Sequence, residues 1–195
     1  MRQREFDTQK AIHNAMEVFW SRSYKGVSTK DLLTAMGIGK GCFYAAFGSK
    51  RELYLLALRH YRVSKMLIKQ SNRTPGPTSA DESLRKLFGQ LIDRTINQHK
   101  TCMLGKAALE FRGSDSAVAE IVDVGVSQLE ETILKIILYG QGTGEIPKDR
   151  NPHTLSRFIT ANLYGIQVWG RAKLCRENLE EIAATTLSVV MPNKH

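Results

Sequence analysis

An all-α fold is predicted for this chain, and three observations predict it. Apolar residues recur at spacings of three and four along nine segments, a capping residue, glycine or proline punctuates most joints, and no stretch alternates as a half-buried strand would. At 195 residues and 42% hydrophobic content the chain can bury one compact core or two closely packed ones, with no room for a second large domain.

The elements follow in order. A first helix is expected from about Asp7 to Arg22, where Ile12, Ala15, Met16, Phe19 and Trp20 form an apolar stripe. Residues 28 to 53, STKDLLTAMGIGKGCFYAAFGSKREL, then parse into two short helices, a tight turn and the start of a longer helix. Ser28 with Asp31 is a capping pair, Leu32, Leu33, Ala35 and Met36 give the second helix its apolar side, and Gly37 ends it. Ile38 plugs the turn, and Gly39 to Phe47 form a third helix with Phe43 and Phe47 four apart on one face. Gly48 breaks that helix, and Ser49 to Glu52 read as a better capping box than the first, opening a fourth helix from about 50 to 70 through Leu53, Leu56, Ala57 and Tyr61.

Residues 72 to 79, NRTPGPTS, are the clearest internal break. A fifth helix is expected from Ala80 to His99, a short sixth from Thr101 to Phe111, and a long seventh capped by Ser114 or Asp115. The seventh should end at the glycine-rich run GQGTGEIPKDRNP. Asn151-Pro152 opens an eighth helix, an N-cap followed by proline at the first helical position, and a ninth runs from about Asn178 to Val190.

Charge is unevenly placed. Residues 1 to 73 hold 14 Lys+Arg against 5 Asp+Glu, whereas residues 74 to 195 hold 14 against 14, so the whole excess of nine lies in the first part. A basic head on a neutral body is the electrostatic footprint of a phosphate-binding surface. The competing reading is a solvated basic face, or a helical adaptor for an anionic partner, and neither explains the punctuation of residues 28 to 53.

That punctuated stretch resembles the TetR family of bacterial transcriptional regulators over about residues 8 to 60, with Thr29, Gly37, Gly41, Tyr44, Phe47, Lys50 and Leu53 at the family's spacings. Three departures stand out: Ser23 where the family often has Gly, Gly39 where Ser or Thr commonly caps the reading helix, and Ala45-Ala46 where His is frequent. The resemblance implies a nine-helix architecture with a helix-turn-helix DNA-binding head at residues 1–50 and a ligand-binding and dimerisation body at 51–195, the fourth helix connecting them. It implies a homodimer reading a palindromic operator on double-stranded DNA, and release by a small-molecule effector.

Candidate DNA contacts are Thr29 and Lys30 at the start of the second helix, Gly39, Lys40, Gly41 and Cys42 at the exposed start of the third, and Tyr44 and Lys50, which match backbone-gripping positions. Lys40 carries the donor suited to a guanine edge. Candidate pocket residues are Tyr61, Met66, Phe88, Ile92, Thr95, Met103 and Trp169, a set suited to an apolar or aromatic effector, although residues of these types at helical spacing also make plain core. For the dimer, Phe158, Leu163, Ile166, Leu179, Ile182 and Leu187 of the last two helices are expected at a four-helix interface, with Gly165 and Gly170 permitting close approach.

Cys102, near Lys100 and His99 at the start of the sixth helix, opens a second reading as a thiol that senses electrophiles, since its segment partly resembles a G-C-L-L-x-N run in one branch of the family; a buried structural thiol is the competing reading. Cys42, Cys102 and Cys175 show neither a disulfide framework nor zinc-ligand spacing. No cofactor or metal is implied. An enzyme is not indicated, because His13, His60, His99, His153 and His195 are scattered and no catalytic fingerprint occurs. A cytoplasmic location is expected, with neither a membrane-length apolar run nor a secretory leader.

Overall fold

The computed structural model describes residues 6–64, 79–98, 100–111, 113–172 and 175–191. Among the described residues there are nine helices and no strand: α1 Thr8–Arg22, α2 Thr29–Met36, α3 Lys40–Phe47, α4 Lys50–Ser64, α5 Ala80–Asn97, α6 Met103–Phe111, α7 Ser116–Thr143, α8 Pro152–Arg171 and α9 Arg176–Val190. The expected Met66, His99 and Arg73, and the break at residues 72 to 78, lie outside the described residues.

Local chemistry explains the helix starts. Asp7 caps α1 by accepting the amides of Gln9 at 2.9 Å and Lys10 at 3.0 Å. Ser28 and Asp31 form a complete capping box on α2: the Asp31 amide donates to Ser28 Oγ at 3.2 Å, and the Ser28 amide donates to Asp31 Oδ2 at 2.8 Å. The box expected to be the better one, at Ser49, is only half made. Glu52 donates its amide to Ser49 Oγ at 3.1 Å, but its carboxylate turns to Arg51 at 2.7 Å, and the Ser49 amide is taken by the Phe47 carbonyl. Asn151 caps α8 through the Thr154 amide at 3.0 Å, with proline in the first turn as expected.

The glycine-rich run ends α7 as expected, though not at its first glycine. The helix runs through Gly140 and Gly142 to Thr143, and a Cβ at position 140 would stand 2.8 Å from Ala80 Cβ and 2.8 Å from Ile146 Cδ1. Glycine is required there for packing rather than for a turn. The turn itself falls at Gly144, with φ of 80°, and is held by Gln141, whose side-chain amide donates to the carbonyls of Pro147 at 2.9 Å and Arg150 at 2.8 Å.

The chain divides into two compact units. The first contains α1 to α4 with α6 and α7 as far as Asp123. Its core is aromatic: Phe19 meets Tyr54 edge-on at 4.9 Å between centroids, Trp20 meets Tyr61 at 5.0 Å, and Tyr24 lies 5.2 Å from Phe111. The second contains α5, α7 from Val124, α8 and α9, with α5, α8 and α9 packed mutually around Leu84, Leu91, Ile159, Leu163, Ile166 and Leu179.

Candidate nucleic-acid interface

The interface is built on α2 and α3. Asn14 of α1 donates from Nδ2 to the Ala35 carbonyl at 3.0 Å, fixing the end of α2, and Gly37 makes the left-handed exit with φ of 67°. Phe43 and Phe47 then bury one side of α3 completely, while Lys40, Gly41, Tyr44, Ala45 and Ala46 are exposed. Gly39 is the N-cap and makes no side-chain cap bond, so the first amides of α3 are not capped by its side chain.

The predicted contact residues distribute as follows. Thr29 is half-buried and Lys30 exposed at the start of α2; Lys40 and Gly41 are exposed and Cys42 half-buried on α3. Tyr44 is 46% exposed and leans edge-on against Phe43 at 5.1 Å, which points its ring without hiding it. Lys50 has its ammonium 4.3 Å over the Tyr24 ring, a cation–π contact that holds the charge at the base of α4. The Ser28 hydroxyl, followed by the Ser28 amide, holds the Asp31 carboxyl below its ordinary range.

Three side chains, Lys106, Glu110 and Asp115, tie α6 and the start of α7 to α1, the turn after it and α4 within this unit. Lys106 Nζ donates to the Trp20 carbonyl at 2.7 Å, and the Glu110 carboxylate accepts the amides of Tyr24 at 2.9 Å and Lys25 at 2.6 Å. Arg51 donates to Asp115 from Nε at 2.6 Å and from Nη2 at 2.9 Å. None of these partners is close in sequence, and no local signal announces them.

Residues 11–57 match the family described as "Bacterial regulatory proteins, tetR family", and residues 81–186 match the "Tetracyclin repressor-like, C-terminal domain". The chain belongs to the tetR family. It is accordingly a helix-turn-helix transcriptional regulator, in a family of regulators rather than enzymes. The tetR-type chain is 28% identical to an uncharacterized regulator, YezE, of Bacillus subtilis over 97% of its own length and 98% of that protein. It is 24% identical to the repressor ComR of Escherichia coli, covering 95% of this chain and 90% of that one. A cysteine-substituted form of the regulator CifR, solved with a 26-base-pair double-strand operator DNA, superposes with a TM-score of 0.82 at 27% identity, covering 97% of this chain and 100% of that one.

The residues expected at the dimer and the pocket divide between core and surface. Leu163, Ile166, Leu179 and Leu187 are at most 3% exposed, because α8 and α9 turn those side chains into the core of their own unit. Phe158 and Ile182 instead line an open groove of about 550 Å³ between α8 and α9, with Asn162, Thr185 and Val189. Gly170 approaches Thr95 and Leu179 of the same chain, whereas Gly165 faces open space.

Trp169, one of the expected pocket residues, is 54% exposed. The other described pocket candidates are buried: Tyr61 and Met103 in the first unit, Phe88, Ile92 and Thr95 in the second. Cys102 is half-buried, and its carbonyl accepts the Lys106 amide in the first turn of α6. Two of the scattered histidines meet: His13 Nδ1 is 3.3 Å from His60 Nε2, joining α1 to α4. Among the described residues no group of three His, Cys, Asp or Glu side chains is placed to hold a metal ion, and no helix is long and apolar enough to cross a membrane.

Proposed function

We propose that the protein is a cytoplasmic repressor that binds a palindromic operator as a homodimer and leaves it when a small apolar or aromatic molecule occupies the body. The observation that carries the reading is the outward face of α3. It is held by two buried phenylalanines and flanked by glycine turns, at the centre of the part of the chain that holds the entire net positive charge. The operator complex of CifR supports it.

Residues 1–50 are the DNA-binding head and 51–195 the body, with Thr29, Lys30, Tyr44 and Lys50 on phosphates and Gly39 to Cys42 at the groove floor. Phe88, Ile92 and Thr95 of α5 contribute to effector binding, and Phe158 and Ile182 to the dimer. Because α4, α6 and the start of α7 pack with the head, an effector that shifts α6 and the start of α7 acts on α1 and α4 through Lys106, Glu110 and Asp115.

Selection of bound sequences from a random DNA pool tests the reading. An inverted repeat with half-sites about one helical turn apart is expected. Recovery of sequences without twofold symmetry would sink it.

A further inference from the structure

The centre of the reading face carries no hydrogen-bonding side chain. At 3.6 residues per turn Ala45 lies roughly 160° around α3 from each of Phe43 and Phe47, two residues to either side of it. Both phenylalanines are buried, so Ala45 is the residue that points most directly away from the head. Gly41, one turn earlier, shares that ridge, and a Cβ placed there would meet nothing within 4 Å. Tyr44 flanks the ridge, and Lys40 stands further round at the helix start. A ridge of glycine and alanine brings the α3 backbone nearer to base edges than one of long side chains. What it then offers at the groove floor is a methyl group.

The only base-edge group that a methyl recognises favourably in the major groove is the C5-methyl of thymine, since every other edge there presents a donor or an acceptor that a methyl leaves unpaired. We infer that Ala45 is a specificity-determining residue that selects a thymine in each operator half-site by methyl-to-methyl contact, with Gly41 permitting the approach. This rests on the operator-binding reading proposed above, and assigns to the Ala45 departure a positive role rather than the loss of a polar contact.

The test uses the full-length protein and its selected operator, with each thymine replaced in turn by deoxyuridine, which removes only the methyl. For the native protein, one thymine per half-site is expected at which deoxyuridine weakens binding by about fourfold, the value of one buried methyl-sized group. In Ala45→Gly the thymine-to-deoxyuridine ratio at that position should fall to about one. Because the ratio compares two DNAs on the same protein, the entropic cost of an added helix glycine cancels. Ala46→Gly, which carries a similar backbone cost off the ridge, should keep the fourfold ratio. Tight operator binding that is insensitive to deoxyuridine at every position overturns the inference, as does an unchanged ratio in Ala45→Gly. Failure to select any operator at all overturns instead the function on which it rests.

Discussion

Asp115 serves two elements with one carboxylate: Arg51, at the start of α4, grips both its oxygens at 2.6 and 2.9 Å, while Oδ1 also accepts the amides of Ala117 at 3.1 Å and Val118 at 3.2 Å. The residue that caps α7 is therefore also the one that joins α7 to α4, and it is Asp115, not Ser114, of the two caps expected. Removing the carboxylate leaves the α7 amides uncapped and Arg51 with Glu52 alone. Asp115→Ala should lower Tm by about 3–6 °C, and Arg51→Met, which spares the cap, by less. Differential scanning calorimetry of both variants checks the order; equal losses would mean that the cap contributes nothing.

The same carboxylate predicts an acid response. The Arg51 guanidinium, followed by the α7 amides, holds Asp115 below its ordinary range. With its pKa depressed in the folded protein, the unfolded chain binds the proton more readily. The contribution is thus complete above the unfolded value of about 3.9 and is lost as pH falls through the lower folded value. Asp115→Asn should flatten the acid limb of the stability curve below about pH 4 and leave its shape above pH 6 unchanged.

Ser23 ends α1 at φ 68°, ψ 175°, backbone territory that is essentially reserved for glycine. Ser23→Gly relieves strain and gives back part of it as unfolded-state entropy, for a net gain of about 1 kcal/mol, or a Tm rise of about 2–4 °C. A lower Tm for this variant would show that the serine side chain holds the turn.

Gly170 of α8 faces Thr95 of α5, where a Cβ would run into Thr95 Cγ2 and stand 3.2 Å from Leu179 Cδ1. Thr95 is a stiff β-branched neighbour whose hydroxyl donates to the Leu91 carbonyl at 2.8 Å, so it yields poorly. Gly170→Ala should cost about 1–3 kcal/mol. Adding Thr95→Ser, which deletes the obstructing methyl, should restore part of it. Simple additivity in a chemical-denaturation double-mutant cycle would locate the strain elsewhere.

Lys40→Ala tests polar reading at the edge of the α3 face. A loss of about tenfold on the selected operator, with much less on scrambled DNA, is expected of a base contact. Equal losses on both, with a shallower salt dependence, would assign Lys40 to the phosphates.

The head was legible because its signals are local. The Ser28–Asp31 box, Gly37, the Phe43–Phe47 spacing and Gly48 each act within one helical turn, and each stands as expected in the structure, together with the Asn151–Pro152 start of α8. The body was less legible because α8 is apolar on a broad side. Spacing could place Phe158 and Leu163 together on it but could not say that Leu163 turns inward to its own unit while Phe158 opens onto a groove. The glycine-rich run marked the end of α7 correctly, at Gly144, but a glycine that ends a helix and one that lets a neighbour close in are identical in sequence, and only Ala80 and Ile146 reveal that Gly140 is of the second kind.

Sequence by itself determined the all-α class, the punctuation of the reading head and the concentration of positive charge there, since capping, periodicity and charge are properties of residues close in the chain. Tertiary structure decided which apolar residues are core and which remain exposed, brought Arg51 to Asp115 and Glu110 to the amides of Tyr24 and Lys25, and set Ala45 at the outward centre of α3. Those outcomes depend on how separate helices are rotated and packed against one another. That rotation is fixed by the whole set of buried contacts and not by any one segment.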